Sequence, residues 1–176
     1  MAPSPAHDTA FRRIYDECFP AVQRYCLRRL PVADANDAVS EVFLVAWTKR
    51  SSIPTAALPW LYGVAHNVVR NQRRTARRTL RLRGRASAEP VYPDLDAETQ
   101  VIRGFEDDRI VATLEAMPEQ DRDVLMLRAW EGLTAREIAG VVGCSVPAAE
   151  KRLVRATRRF ESALGAHPHA TREERP

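Results

Sequence analysis

Residues 133–160 read LTAREIAGVVGCSVPAAEKRLVRATRRF. The spacing predicts two helices joined by a tight turn, the second of them strongly basic. Thr134 and Glu137 stand at the positions of a capping box, in which each side chain satisfies the other residue's backbone N–H. Leu133 and Ile138 flank the cap at hydrophobic-staple positions. Ile138, Val141 and Val142 supply a buried stripe, with Ala139 for close helix approach. Gly143 can take the left-handed conformation that ends a helix. Ser145 is a natural N-cap for the next helix, and Pro147 fits its first turn. That helix carries Lys151, Arg152, Arg155, Arg158 and Arg159, with Ala149, Leu153, Ala156 and Phe160 on its apolar side. A short-turn helix pair with a cationic second helix can lay that helix in a DNA major groove. An ordinary helical hairpin with a solvated basic face is the alternative.

Bulk properties fit a nucleic-acid partner. The chain has 176 residues, a formal net charge of +4 and a pI of about 9.3, and a basic balance favours polyanions. Lysine occurs only at Lys49 and Lys151. Arginine suits bidentate phosphate and base-edge contacts, although a GC-rich coding sequence produces the same bias. Apolar residues make up 45% of the chain, enough for real cores. Cys18, Cys26 and Cys144 show no CxxC spacing. They read as small buried residues in a reduced cytosol, not as a disulfide framework or zinc site, and the four histidines do not cluster with them. No apolar run approaches the roughly 18 residues of a membrane span. MAPSPAHDTA at the N-terminus lacks the charged leader and apolar core of a secretory signal. No metal, cofactor or membrane insertion is expected, and the expected location is cytoplasmic.

Nearly every patterned segment has helical period, so the fold class is all-α. Residues 1–8 read as disordered. A first helix is expected from about Thr9 to Leu30, with Phe11, Ile14, Tyr15, Cys18, Val22, Tyr25, Cys26 and Leu30 on one stripe. Pro20 implies a kink or short break near Phe19. Asp34 is placed to cap a second helix from about Ala35 to Arg50, whose stripe is Val39, Val42, Phe43, Ala46 and Trp47. Ser51 to Pro59 is a loop with two prolines. The third helix starts near Trp60, with Leu61, Val64, Ala65, Val68 and Val69 facing inward. It then turns intensely basic: Arg70, Arg73, Arg74, Arg77, Arg78, Arg81, Arg83 and Arg85 follow with no acid between them. Such a run can track a phosphate backbone or be a solvated face.

Residues 86–97 change character. They are acidic and proline-containing, without apolar period, and read as a flexible linker. The expected organisation is two small helical domains, residues 9–85 and 98–164, joined by that linker, with a disordered tail at 165–176. In the second domain Val101, Ile102, Phe105, Ile110, Val111, Leu114 and Met117 suggest one helix. Pro118 opens the next, whose core residues would be Val124, Leu125, Leu127 and Trp130, and Gly132 ends it. The acids of this segment, Glu119, Asp121 and Asp123 among them, read as solubilising or as guarding one side from nonspecific DNA binding.

Taken in order, the chain shows an acidic-aromatic helix, a loop, a PWLYxxAxN helix with an arginine tail, a linker, and LxxMPEQxRxVLxLRxWEGLTxxEIAxxxGCSVxxxxxRLxRA. From about Phe11 to Leu164 this closely resembles bacterial sigma factors of the extracytoplasmic-function (ECF) group of the sigma-70 family. The resemblance implies a region 2 bundle and a region 4 helix-turn-helix. It also implies a protein that is not an enzyme: one that binds core RNA polymerase through the clamp helices and flap of the large subunits, reads promoter DNA and helps melt it. An anti-sigma factor is a further implied partner. By position, Asp37, Glu41, Phe43, Leu44 and Trp47 would contact polymerase, Phe43 and Trp47 being equally readable as core.

The −10 element would meet Ser51, Ser52 and Ile53 on the loop, then Trp60, His66, Asn67, Arg70, Asn71, Arg73, Arg74 and Arg77 on the helix. Family members trap a flipped base there, and unstacking costs a few kcal/mol that a pocket and phosphate clamps must offset. The loop here lacks the aromatic and arginine residues common in relatives. The −35 element would meet Ser145, Ala148, Glu150, Lys151, Arg152 and Arg155. Relatives carry a Thr-Val-Lys-Ser-like run before Arg-Leu, where this chain has Ala148 to Lys151. Glu150 could accept from a cytosine amino group or point at the domain's own basic residues. Residues alone leave two rivals. One is a stand-alone helix-turn-helix regulator with an N-terminal sensing or dimerisation domain. The other is a nucleic-acid enzyme, for which no paired acids, phosphate loop or nucleophile-base pair is apparent.

Overall fold

Seven α-helices make up the described part of the chain in a computed structural model that covers residues 5–82 and 108–165. They are α1 (Pro5–Leu27), α2 (Val32–Thr48), α3 (Ala57–Leu82), α4 (Asp108–Ala116), α5 (Glu119–Ala129), α6 (Ala135–Val142) and α7 (Val146–Gly165). No strand occurs among the described residues. The expected linker, the tail, the arginines at 83 and 85, and the stripe residues at 101, 102 and 105 lie outside them.

The first three helices pack pairwise into a bundle. Val22, Tyr25 and Cys26 of α1 meet Ala35, Ala38, Val42 and Ala46 of α2 and Leu61 and Ala65 of α3, all essentially inaccessible to solvent. The alanines let the α2 backbone approach its neighbours closely, which recovers dispersion contacts that a void would forfeit. At the other end of α1 the rings of Phe11, Tyr15, Phe19, Phe43 and Trp47 interlock at centroid separations of 4.6–6.4 Å. These are the offset and edge geometries that aromatic quadrupoles favour.

Three local expectations change. Pro20 lies inside an unbroken α1; its missing N–H forfeits one helical hydrogen bond, and the burial of Cys18, Val22 and Tyr25 around it keeps the helix continuous. The helix also begins at Pro5, so residues 5–8 are helical, and Asp8 accepts a hydrogen bond from Arg50 Nε at 2.9 Å. Asp34 is not the cap of α2. The N-cap is Pro31, with no side-chain cap bond, and Asp34 falls in the first helical turn, where a carboxylate still favours the positive end of the helix dipole.

In the second half, α4, α5 and α6 all pack on α7. The quoted stretch folds through its caps. Thr134 accepts from the Glu137 N–H while the Glu137 carboxylate accepts from the Thr134 N–H at 2.8 Å. Gly143 takes φ 71°, ψ 44°, a left-handed conformation that costs an L side chain about 1–2 kcal/mol. Ser145 Oγ accepts from the Ala148 N–H. Leu133, Ile138, Ala139, Val141, Ala149 and Ala156 are buried, together with Val124, Met126 and Leu127 of α5. Leu125 and Trp130 are only half-buried, Met126 having taken the inward position that the spacing assigned to its neighbour. The two halves also meet: α3 lies against α6, and the buried residues of both form one contiguous cluster.

Candidate nucleic-acid interface

α2 presents its candidate residues on one outward face. Asp37, Glu41 and Leu44 follow one another at four- and three-residue steps and are exposed, as helix geometry requires of one face. Leu44 is 65% exposed and Trp47 39%, whereas Phe43 is 6% exposed, closed in by Tyr15 and Phe19. Phe43 therefore props this face from beneath. The Arg50 guanidinium lies over the Trp47 ring at 4.0 Å, a cation–π contact that steadies the indole.

On the loop, Ser51 and Ser52 are exposed, with Ser52 Oγ donating to the Lys49 carbonyl, while Ile53 packs on the core. Trp60 also packs on the core. Along α3, Asn67, Arg70, Asn71 and Arg74 are exposed, and Arg74 Nη2 donates to Asn71 Oδ1 at 3.3 Å. The remaining members of the set turn toward the second half. His66 is buried. Arg73 donates to the Arg29 carbonyl at 3.0 Å and stands 3.6 Å from Glu119 and 3.9 Å from Asp123. Arg77 Nη1 reaches Glu119 Oε2 at 3.1 Å.

On α7, Ser145 is engaged as the N-cap and Ala148 is half-buried, while Glu150 and Lys151 are exposed. Arg152 lines a cavity of about 220 Å³ between the halves, together with His66, Arg70, Glu119, Asp123 and Cys144. Arg155 is clasped by Asp121, at 2.7 Å through Nη2, and Arg159 reaches the other Asp121 oxygen at 2.6 Å. The Asp121 side chain is almost wholly buried, so two arginines one turn apart share one fixed carboxylate.

Four residues here escaped sequence reading. Arg28 and Arg29, just past the end of α1, both reach Glu131 Oε1, at 3.2 and 2.9 Å, and all three side chains are buried. Asp121 is the fourth. The available signal was the position of Arg28 and Arg29 between Cys26 and Leu30 on an apolar stripe, where a solvated pair is out of place. Burial opposes the charge on both arginines. The Glu131 carboxylate overcomes it at Arg29, whose pKa is raised, and does not at Arg28, whose pKa is lowered.

The charges across this seam give it a pH dependence. Burial pushes the His66 pKa down; Asp123 opposes this, while Arg29, Arg70 and Arg73 reinforce it. Neutral His66 therefore favours the packed arrangement, a contribution present above the ordinary imidazole value of about 6.5 and lost as pH falls below it. Burial pushes Glu119 up, but Arg77, Arg73 and Arg122 bring its pKa below the ordinary range. Its contribution is present above that range and is lost as pH falls through the lowered value. Both signs agree. Small-angle scattering should show the chain expanding as pH falls from about 6.5 to below the ordinary carboxylate range of about 4.3, and His66→Gln should flatten the upper part of that transition.

Cys18 and Cys26 are buried, and burial raises both thiols, Cys26 to about 12. They lie eight residues apart on one unbroken helix, about 12 Å at 1.5 Å per residue, too far for a disulfide. Among the described residues no group of three potential ligands could hold a metal ion, and no helix is long and apolar enough to cross a membrane.

Two family models match the chain in this order: sigma-70 region 2 over residues 14–79 and sigma-70 region 4 over residues 107–160. The chain belongs to the sigma-70 family of RNA polymerase sigma factors, in its ECF group. It is 30% identical over 154 residues to a probable RNA polymerase sigma factor, RfaY, of Xanthomonas campestris pv. campestris, covering 84% of this chain and 38% of that protein. It is 28% identical over 165 residues to the ECF RNA polymerase sigma factor SigD of Mycobacterium tuberculosis, covering 89% of this chain and 78% of SigD. The chain thus spans well under half of the first relative and most of the second. Its fold is similar to that of the sigma factor RpoE from Bartonella quintana, solved in complex with the anti-sigma factor NepR. The TM-score is 0.68 at 19% identity, covering 89% of this chain and 97% of that one.

Proposed function

We propose that this chain binds core RNA polymerase and directs initiation at promoters that carry a −35 and a −10 element. The observation that carries this is the separation of three surfaces on two matched regions. The acidic-apolar face of α2 suits a basic partner with apolar anchors. The Asn67, Arg70, Asn71 and Arg74 face of α3 suits single-stranded DNA, where amides read base edges and arginines hold phosphates or stack. The exposed face of α7 suits duplex DNA. In this reading region 2 spans residues 9–85 and region 4 residues 98–164, with 86–97 as a tether that supplies effective concentration.

The protein works in the cytoplasm, without a cofactor, and catalyses no reaction of its own. An anti-sigma factor, as in the Bartonella complex, is the proposed restraining partner. Run-off transcription with purified core enzyme on a genomic promoter pool tests the reading, which fails if no start site depends on the protein.

The Asp121 clasp guides the choice of a −35 variant. Arg155→Ala would disturb a buried carboxylate as well as DNA, so Arg152→Ala is the cleaner probe. It should weaken binding to a −35 duplex by about 1–3 kcal/mol, read by gel shift of the polymerase complex, with core affinity unchanged.

A further inference from the structure

Asp121 stands in the first turn of α5 and is 2% exposed. Its two carboxylate oxygens are divided between two arginines of α7. Oδ1 accepts from Arg155 Nη2 at 2.7 Å, while Oδ2 accepts from Arg159 Nη1 at 2.6 Å and from Arg155 Nε at 3.4 Å. The arginines are only half-covered, with 59% and 46% of their side chains open to solvent. Four residues of helix set them one turn apart, about 6 Å along the axis. Nη1 of Arg155 and Nη2 of Arg159 take no part in the clasp. With Pro118 and Gln120 the three side chains line an open cleft of about 530 Å³. Glu119 borders it too, but its carboxylate is engaged by Arg77 at 3.1 Å.

We propose that Asp121 is a positioning residue for DNA binding: it fixes Arg155 and Arg159 from beneath, so that their remaining N–H groups grip the phosphate backbone beside the −35 element. Arg159 thereby joins the contact set, and Asp121 acts through the pair without touching DNA. The idea rests on reading α7 as the −35 helix.

Stability alone does not account for the clasp. Ion pairs to half-exposed arginines add little to folding, while burying a carboxylate is costly. Orientation is what the arrangement supplies. A free arginine gives up rotamer freedom when it meets a phosphate; one already held by a buried carboxylate has given it up in the fold. The planar guanidinium can bind a carboxylate along one edge and a phosphate along another. One carboxylate against two guanidinium groups leaves a net positive charge, so the pair still attracts phosphate. Charge counting and positioning therefore predict opposite signs. Deleting the Asp121 charge at constant shape should tighten DNA binding if only charge matters, and weaken it if the arginines lose their support.

The test compares the full chain with Asp121→Asn and with the double variant Arg155→Lys, Arg159→Lys, which keeps both charges and loses the planar forks. Fluorescence anisotropy gives affinity for a short random-sequence DNA duplex across a salt series, and circular dichroism gives helix content. Positioning predicts that both variants are as helical as wild type and bind at least about fivefold more weakly. For Asp121→Asn the slope of log affinity on log salt should also fall by about one, the mark of a lost phosphate contact. A helical Asp121→Asn that binds as well as wild type or better, or keeps its slope, overturns the proposal. So does a lysine pair that binds like wild type, or a wild type that does not bind the duplex at low salt. If Asp121→Asn loses helix content, the lysine pair alone decides. Run-off transcription with core enzyme separates the two readings. No transcript from the wild type counts against the sigma assignment, while the duplex titration still decides the role of Asp121.

Discussion

Leu44→Asp should abolish binding to core RNA polymerase while leaving the fold of the chain intact. Leu44 is the most exposed large apolar side chain described, and it shares its face with Asp37 and Glu41. Exposed apolar groups rimmed by charge mark interaction surfaces, and central anchors of such surfaces cost about 2–4 kcal/mol when lost. That corresponds to roughly 30- to 1000-fold in affinity, and a carboxylate buried against an apolar pocket adds to the loss. Fluorescence anisotropy of labelled protein titrated with core enzyme measures it. A change of less than about threefold would remove α2 from the interface. Trp47→Ala is the less clean partner variant, because Trp47 also meets the Phe11 ring edge-on at 5.0 Å and carries Arg50 over its face.

Ile138→Ala should cost about 2–5 kcal/mol of stability, a large fraction of the 5–15 kcal/mol typical of a domain. Ile138 is wholly buried at the centre of α6, a helix of only eight residues. A helix that short does not stand on its own propensity; its cap and its packing against α5, α7 and α3 hold it. The lost methyls leave a cavity in the buried cluster that also holds Leu127, Val124 and Ala149, and the packing of α6 against α3, α5 and α7 limits how far that cavity can collapse. Urea unfolding should show a lower midpoint with an unchanged slope. A loss below about 1 kcal/mol would mean that the site relaxes around the smaller side chain.

What the sequence made legible follows the range of the interactions concerned. The capping box at Thr134, the left-handed turn at Gly143 and the Ser145 cap depend on residues within four positions of one another, so their pattern is written locally. The fate of an aromatic is not. Phe43 and Trp47 stand one turn apart on α2 and read alike, yet Tyr15 and Phe19 cover Phe43 while Trp47 keeps an open edge, because of where α1 crosses. The acids were the least legible. Glu119, Asp121 and Asp123 read as a solubilising cluster, but Glu119 meets Arg77 across 42 positions, Asp121 meets Arg155 across 34, and Glu131 meets Arg29 across 102. No periodicity encodes such pairings; the first and third arise only where helices of the two halves meet, and the second only where α5 packs on α7. Pro20 shows the converse, a strong local signal for a break overridden by the packing around it.

Cys144 gives the molecule a native optical handle. It sits in the turn between α6 and α7 and lines the cavity between the halves, whereas Cys18 and Cys26 are buried with raised thiol pKa values. Thiolates, not thiols, attack disulfide reagents, so the first equivalent of an aromatic disulfide consumed should report Cys144. Its rate then becomes a measure of access to that cavity, readable in a cuvette without labels or engineered residues.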